Sequence, residues 1–202
     1  MIKYIIFLLS IYCFSFADLT KLSNKDKIEI KSKPNKYVVA KRFSNYYEFI
    51  LRAEKYSIPK KITRTNSHIN KIISKRDKED NRWSSLKEFL IDGYGDCEDY
   101  AISKYITLLK LGIDTNKLFL SVVKVKGSKS LHMVLLYVNN KEILVLDNLS
   151  WKVLPLNKRK TLEFRYAFNS KSSYIIKNNS LVKEKKIKRV EVIKLNNILL
   201  EK

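Results

Sequence analysis

The residue pattern changes period once, at Gly112, and that change fixes the class of fold. Cys97 to Leu111 carries Ala101, Ile102, Tyr105, Leu108 and Leu109 at the spacing of a buried helix. Gly112 then closes it, as glycine commonly does just past a helix end. Three runs rich in β-branched and aromatic residues follow: Leu118 to Val125, Leu131 to Tyr137 or Val138, and Glu142 or Ile143 to Asp147. Upstream the period is helical again. Phe43, Tyr47, Ile50 and Leu51 mark one helix, with Pro59 ending or interrupting it, and Ile69, Ile72 and Ile73 mark a second. A shorter helix carries Leu86, Phe89 and Leu90. Helices before strands predict an α+β chain, with helices packed on an antiparallel sheet.

The remaining segments divide the chain. Residues 1–17 read as a signal peptide, with Lys3 as the positive start, an apolar run to Phe16 and small residues at Ser15 and Ala17. That run is short for a membrane span of about 20 residues. An uncleaved N-terminal anchor is the alternative, and export follows from either. Tyr12 stands where a lipoprotein signal would put a small residue before Cys13. Residues 18–35 read as a polar extended arm, residues 36–170 as one domain, and residues 171–202 as a basic extension. Within that extension, Val190 to Ile193 reads as an accessory strand or a loosely held tail.

A net charge of +21, from 41 Lys and Arg against 20 Asp and Glu, is spread along the whole length. No helix-turn-helix, zinc-finger or RNA-binding signature accompanies it, so nucleic acid is not an expected partner. A basic surface still favours an acidic substrate or an anionic membrane.

Once the signal is removed, Cys97 is the single cysteine and forms no disulfide within the chain. It sits in Gly95-Asp96-Cys97-Glu98-Asp99-Tyr100, after the turn Gly93-Tyr94-Gly95, with Asp96 placed as N-cap. A helix start favours a thiolate, whereas the flanking carboxylates raise the thiol pKa. The motif therefore calls for a positive partner. Of the two histidines, His68 lies in a polar helical stretch and reads as a surface or packing residue. His132 opens the second strand. With a two-residue turn at Asn139-Asn140, Val138 faces Lys141, and the ladder carries His132 opposite Asp147. An odd-length loop would bring Leu146 or Asn148 there instead. An Asp beside a His orients the ring and stabilises the imidazolium. Cys97 as nucleophile, His132 as general base and acid, and Asp147 as orienter make a thiol-protease triad. Trp83 reads as core or groove wall, Tyr100 and Tyr105 as helix packing, and Asn148 as a strand-end residue.

The stretch from Gly95 to Tyr105 resembles the nucleophile helix of the bacterial transglutaminase-like cysteine proteinases of the LapG type. His132-Met133-Val134-Leu135 and Leu146-Asp147-Asn148-Leu149 resemble that family's histidine and aspartate strands, in the same order. Trp83 with Glu88-Phe89-Leu90 is similar to its upstream element, although Leu86 stands where proline is expected. The likeness spans Phe43 to Asn169. It implies a papain/transglutaminase-like fold, a periplasmic, monomeric enzyme, and Ca²⁺ dependence. By motif position Asp96 and Glu98 would be the calcium ligands, as suits hard carboxylate oxygens, and the cation would offset their charge. Asp99 reads equally as a further ligand, a cap or a lysine partner. The implied task is clipping a large surface adhesin near its N-terminus, which disperses biofilm. An inner-membrane receptor for cyclic di-GMP would sequester the enzyme. Two other functions share these residues: a transglutaminase or acyltransferase on the same triad, and a non-catalytic binding module.

Overall fold

The computed structural model describes residues 23–74, 82–140, 142–184 and 190–200. The expected signal peptide lies outside them.

Helices come first. Helix α1 (Asn24–Ser32) begins where the Ser23 hydroxyl accepts from the Asp26 N–H. It replaces the extended arm expected there, because Ile30 is buried and Lys87 reaches both Asp26 (2.6 Å) and Glu29 (2.7 Å). Helix α2 (Lys36–Ala53) buries Val39, Phe43, Tyr46, Phe49 and Ala53, one every three or four residues. Pro59 lies in the first turn of α3 (Ile58–Ile69), where its missing N–H costs nothing. His68 of α3 is a packing residue. Its ring stacks on Phe49 at 4.2 Å, and burial holds its pKa down at about 4.

A two-residue strand β1 (Ile73–Ser74) pairs in parallel with β2 (Tyr94–Gly95). Between them, α4 (Leu86–Asp92) is opened by a Ser85–Glu88 capping box and closed by Gly93 in the left-handed region. Helix α5 (Cys97–Lys110) follows β2 directly and is buried on almost every side from Asp99 to Leu108. It ends in a Schellman motif: Ile113 N–H donates to Leu108 O, and Gly112, at φ +81°, donates to Leu109 O.

The strands are β3 (Leu118–Val125), β4 (Leu131–Val138), β5 (Ile143–Leu146), β6 (Leu154–Pro155), β7 (Leu162–Phe168), β8 (Ser173–Lys177) and β9 (Ser180–Lys183). They form one curled antiparallel sheet in the order β6-β5-β4-β3-β7-β8-β9. Helix α5 packs on β4 and β3, with α3 and α4 behind it. Strand residues alternate between two cores. Leu120, Val122, Met133 and Leu135 join the helices, while Phe119, Val123, Val134 and Leu136 fill the outer side of the curl.

Two further expectations change. Residues 171–202 were read as a basic extension, with Val190 to Ile193 as an accessory strand or a loosely held tail. Instead they supply β8, β9 and a helix, α6 (Val190–Leu200), whose Val192 and Leu195 are buried in the main core. The turn after β4 is also wider than two residues. Asn139 N–H donates to Glu142 O, and the Asn139 side chain accepts from Glu142 N–H. Val138 therefore pairs with Ile143 and Leu135 with Leu146.

Candidate active site

The register shift moves β5 by two residues against the expected ladder, so side-chain parity is unchanged. His132 and Asp147 are not a cross-strand pair, since the β4–β5 ladder stops at Leu135 and Leu146. Asp147 is the residue just beyond β5, and it still meets His132: Nε2 lies 2.8 Å from Asp147 Oδ1.

Asp147 is fully buried and held from several sides. Its Oδ1 also accepts from Leu149 N–H at 2.9 Å, and its Oδ2 accepts from Arg159 Nη2. Burial alone would push this carboxyl up. The hydrogen bond and charge of His132, the Leu149 N–H and the Arg159 guanidinium outweigh it and hold the pKa at about 2. The turn that follows is pinned to α3. Asn70 Nδ2 donates to the Asp147 and Ser150 carbonyls, and Asn66 Nδ2 to the Ser150 carbonyl.

Cys97 begins α5, where the helix dipole favours negative charge. Asp96 caps the helix, its Oδ1 accepting from Glu98 N–H. Asp99 closes the capping box through Oδ2, which accepts from Asp96 N–H, while its Oδ1 accepts from Ser84 N–H at 2.7 Å. Asp99 thus fills the cap role read for it. The Cys97 thiol donates to Glu98 Oε2 at 2.8 Å. Burial pushes its pKa up, the Glu98 charge and hydrogen bond push it further, and the Met133 backbone, next to His132, pulls it back only in part. The site thus holds a protonated thiol unless positive charge reaches its carboxylates. Asp96, Cys97 and Glu98 place their ligand atoms within 4.8 Å of one another. The two carboxylates fit a hard cation such as Ca²⁺, and the sulfur does not.

Cys97 and His132 open on one cleft of about 710 Å³, also lined by Trp83, Leu149, Glu191 and Lys194. Trp83, read as core or groove wall, is both: it lines the cleft and packs on the main core, stacked on Phe168 with ring centroids 6.0 Å apart. The lining continues onto α6, which packs beside Trp83. Tyr166 donates its hydroxyl to Glu191 Oε1 at 2.6 Å, and Lys194 Nζ lies 5.3 Å from the Trp83 ring centre. Asn148 lines the cleft too. Sequence reasoning missed Arg159, Asn66, Asn70 and the α6 residues. Within this Lys- and Asn-rich chain, nothing in their spacing marks them.

The profile of the bacterial transglutaminase-like cysteine proteinases matches residues 39–179. No curated protein matches the chain. Among solved structures, calcium-bound Legionella pneumophila LapG superposes with a TM-score of 0.73 at 27% identity, over 88% of this chain and 97% of LapG. An EGTA-treated form gives 0.71 at 28% identity, over 88% and 95%. A further LapG structure gives 0.66 at 30% identity, over 75% and 86%. With a profile match across more than half its length and a shared fold, the chain belongs to the bacterial transglutaminase-like cysteine proteinase family.

Proposed function

We propose that the chain is a calcium-dependent periplasmic cysteine endopeptidase that cleaves a large surface adhesin near its N-terminus. The observation that carries this reading is one cleft holding a helix-start thiol and a histidine whose far nitrogen is locked to a buried aspartate. Asp147 occupies His132 Nε2, so Nδ1 is the ring nitrogen left to take the Cys97 proton. The thiolate attacks the scissile carbonyl carbon, and the α5 dipole favours the resulting oxyanion. His132 then returns the proton to the leaving amine, and water, deprotonated by His132, resolves the thioester. Asp147 holds the ring throughout and stabilises the imidazolium.

Asp96 and Glu98 are the residues that would hold Ca²⁺. When bound, the ion would supply positive charge beside Glu98 and so favour the thiolate. The relatives solved with calcium and after EGTA treatment support this reading. The predicted signal segment supports a periplasmic address. Release of the adhesin, biofilm dispersal and sequestration by a cyclic-di-GMP receptor belong to the same proposal.

The test is incubation of the purified chain with the N-terminal segment of a neighbouring large adhesin, read by mass spectrometry. New peptide termini that vanish with Cys97→Ala and with EGTA are expected. Amine-tagged glutamines without cleavage would instead identify an acyltransferase. Failure of an active-site probe to label Cys97 would identify a non-catalytic module.

A further inference from the structure

We infer that Arg159 is a positioning residue of the active site, acting through the second carboxylate oxygen of Asp147. The inference rests on the thiol-protease reading of Cys97, His132 and Asp147 and adds a fourth residue to it.

Asp147 has two jobs that conflict unless something fixes its plane. It must present Oδ1 to His132, yet the terminal torsion of an aspartate is broad and nearly two-fold, so either oxygen can face the ring. Two donors meet Oδ1, from His132 and Leu149, and Arg159 meets Oδ2. Three donors on two oxygens define the plane. Without Arg159, Oδ2 would face a site with no water, since Asp147 is 0% exposed. An unpaired buried carboxylate oxygen turns toward whatever donors remain, and here those are the catalytic histidine and the Leu149 N–H.

The backbone that carries the guanidinium is itself set in place. Arg159 follows a 3₁₀ turn (Leu156–Lys158), with its N–H donating to Leu156 O and its carbonyl accepting from Leu162 N–H. The residue is only 9% exposed, so its side chain has little freedom to leave Asp147. Lys104 puts a second buried cation within electrostatic reach of Asp147, seven residues along α5 from Cys97. Burial disfavours the Lys104 charge, whereas Arg159 supplies a directed hydrogen bond from a group that stays protonated. Arginine suits that task because its fork is planar and always protonated.

The test is the rate at which iodoacetamide alkylates Cys97 in the calcium-saturated full chain, with cleavage of the adhesin segment measured in parallel. Arg159→Gln is expected to slow alkylation and kcat by about tenfold while KM stays within about twofold. In an Asp147→Asn background the same change is expected to alter alkylation less than about twofold, because its route has been removed. Arg159→Lys, which keeps one charged donor, is expected to recover most of the loss. If Arg159→Gln does not fold, Arg159→Lys carries the test, with a smaller loss that again disappears beside Asp147→Asn. A wild-type rate in every foldable Arg159 variant overturns the inference, as does a loss that persists undiminished beside Asp147→Asn. Alkylation needs no peptide, so failure to cleave the adhesin would count against the substrate and leave this result readable.

Discussion

The Cys97 thiol donates to Glu98 Oε2 at 2.8 Å, so the residue next to the nucleophile in the chain also holds its proton. Burial and the Glu98 charge both raise the thiol pKa, which sets the sign of the first expectation. Glu98→Gln removes the charge and lowers that pKa. In EGTA at neutral pH, its Cys97 is expected to alkylate at least about tenfold faster than wild type, one pKa unit being a tenfold change in thiolate. Added Ca²⁺ should then accelerate wild type strongly and the variant little. Equal rates in EGTA would show that Glu98 does not hold the thiol.

Lys104 is 1% exposed, and burial lowers its pKa to about 7 against the opposing pull of Asp147. In the unfolded chain a lysine titrates near 10.4. Between these values the unfolded state binds more protons, so stability rises with pH, by up to about 1.4 kcal/mol per unit. The contribution is fully unfavourable below pH 7 and vanishes above the unfolded value. Relative to Lys104→Met, wild type is therefore expected to gain stability from pH 7 to pH 10 in denaturant melts. A difference that stays flat across that range would refute it.

Gly95 has no room for a side chain. A Cβ there would lie 2.6 Å from Asp99 Oδ2 and 2.7 Å from the Phe89 ring. Gly95→Ala forces the cap of α5 away from Asp96 and is expected to cost about 1–3 kcal/mol. Thermal unfolding reads the loss, and a melting temperature equal to wild type would mean the cap adjusts freely.

Lys194 lies on the cleft wall over the Trp83 ring. Charge reversal by Lys194→Glu is expected to raise KM for an acidic peptide by about two- to fivefold, the scale of an exposed ion pair, with kcat unchanged. A fall in kcat with constant KM would move Lys194 from the wall into the chemistry.

Much of this architecture was legible from residue types. The cap at Asp96, the helix to Leu111 and the strands after Gly112 are local patterns, each enforced by backbone chemistry within a few residues. His132 and Asp147 were found through a ladder whose register was off by two. The error was harmless because a strand repeats every two residues, and because Asp147 extends past the strand end to reach the ring. Val190 to Ile193 misled for a different reason. Alternating β-branched residues suit a strand, but burial of Val192 and Leu195 at helical spacing in the main core decides the outcome. Arg159 and Asn70 were invisible because their partners lie 12 and 77 residues away, at distances no local pattern encodes.

The α6 wall has a consequence for how the enzyme comes into being. Cys97, His132 and Asp147 all precede the outer strands, and Val190, Glu191 and Lys194 come after every strand of the sheet. A chain that emerges N-terminus first thus has its nucleophile and base before it has the α6 part of its groove lining. That share of the grip on a substrate is the last the molecule acquires.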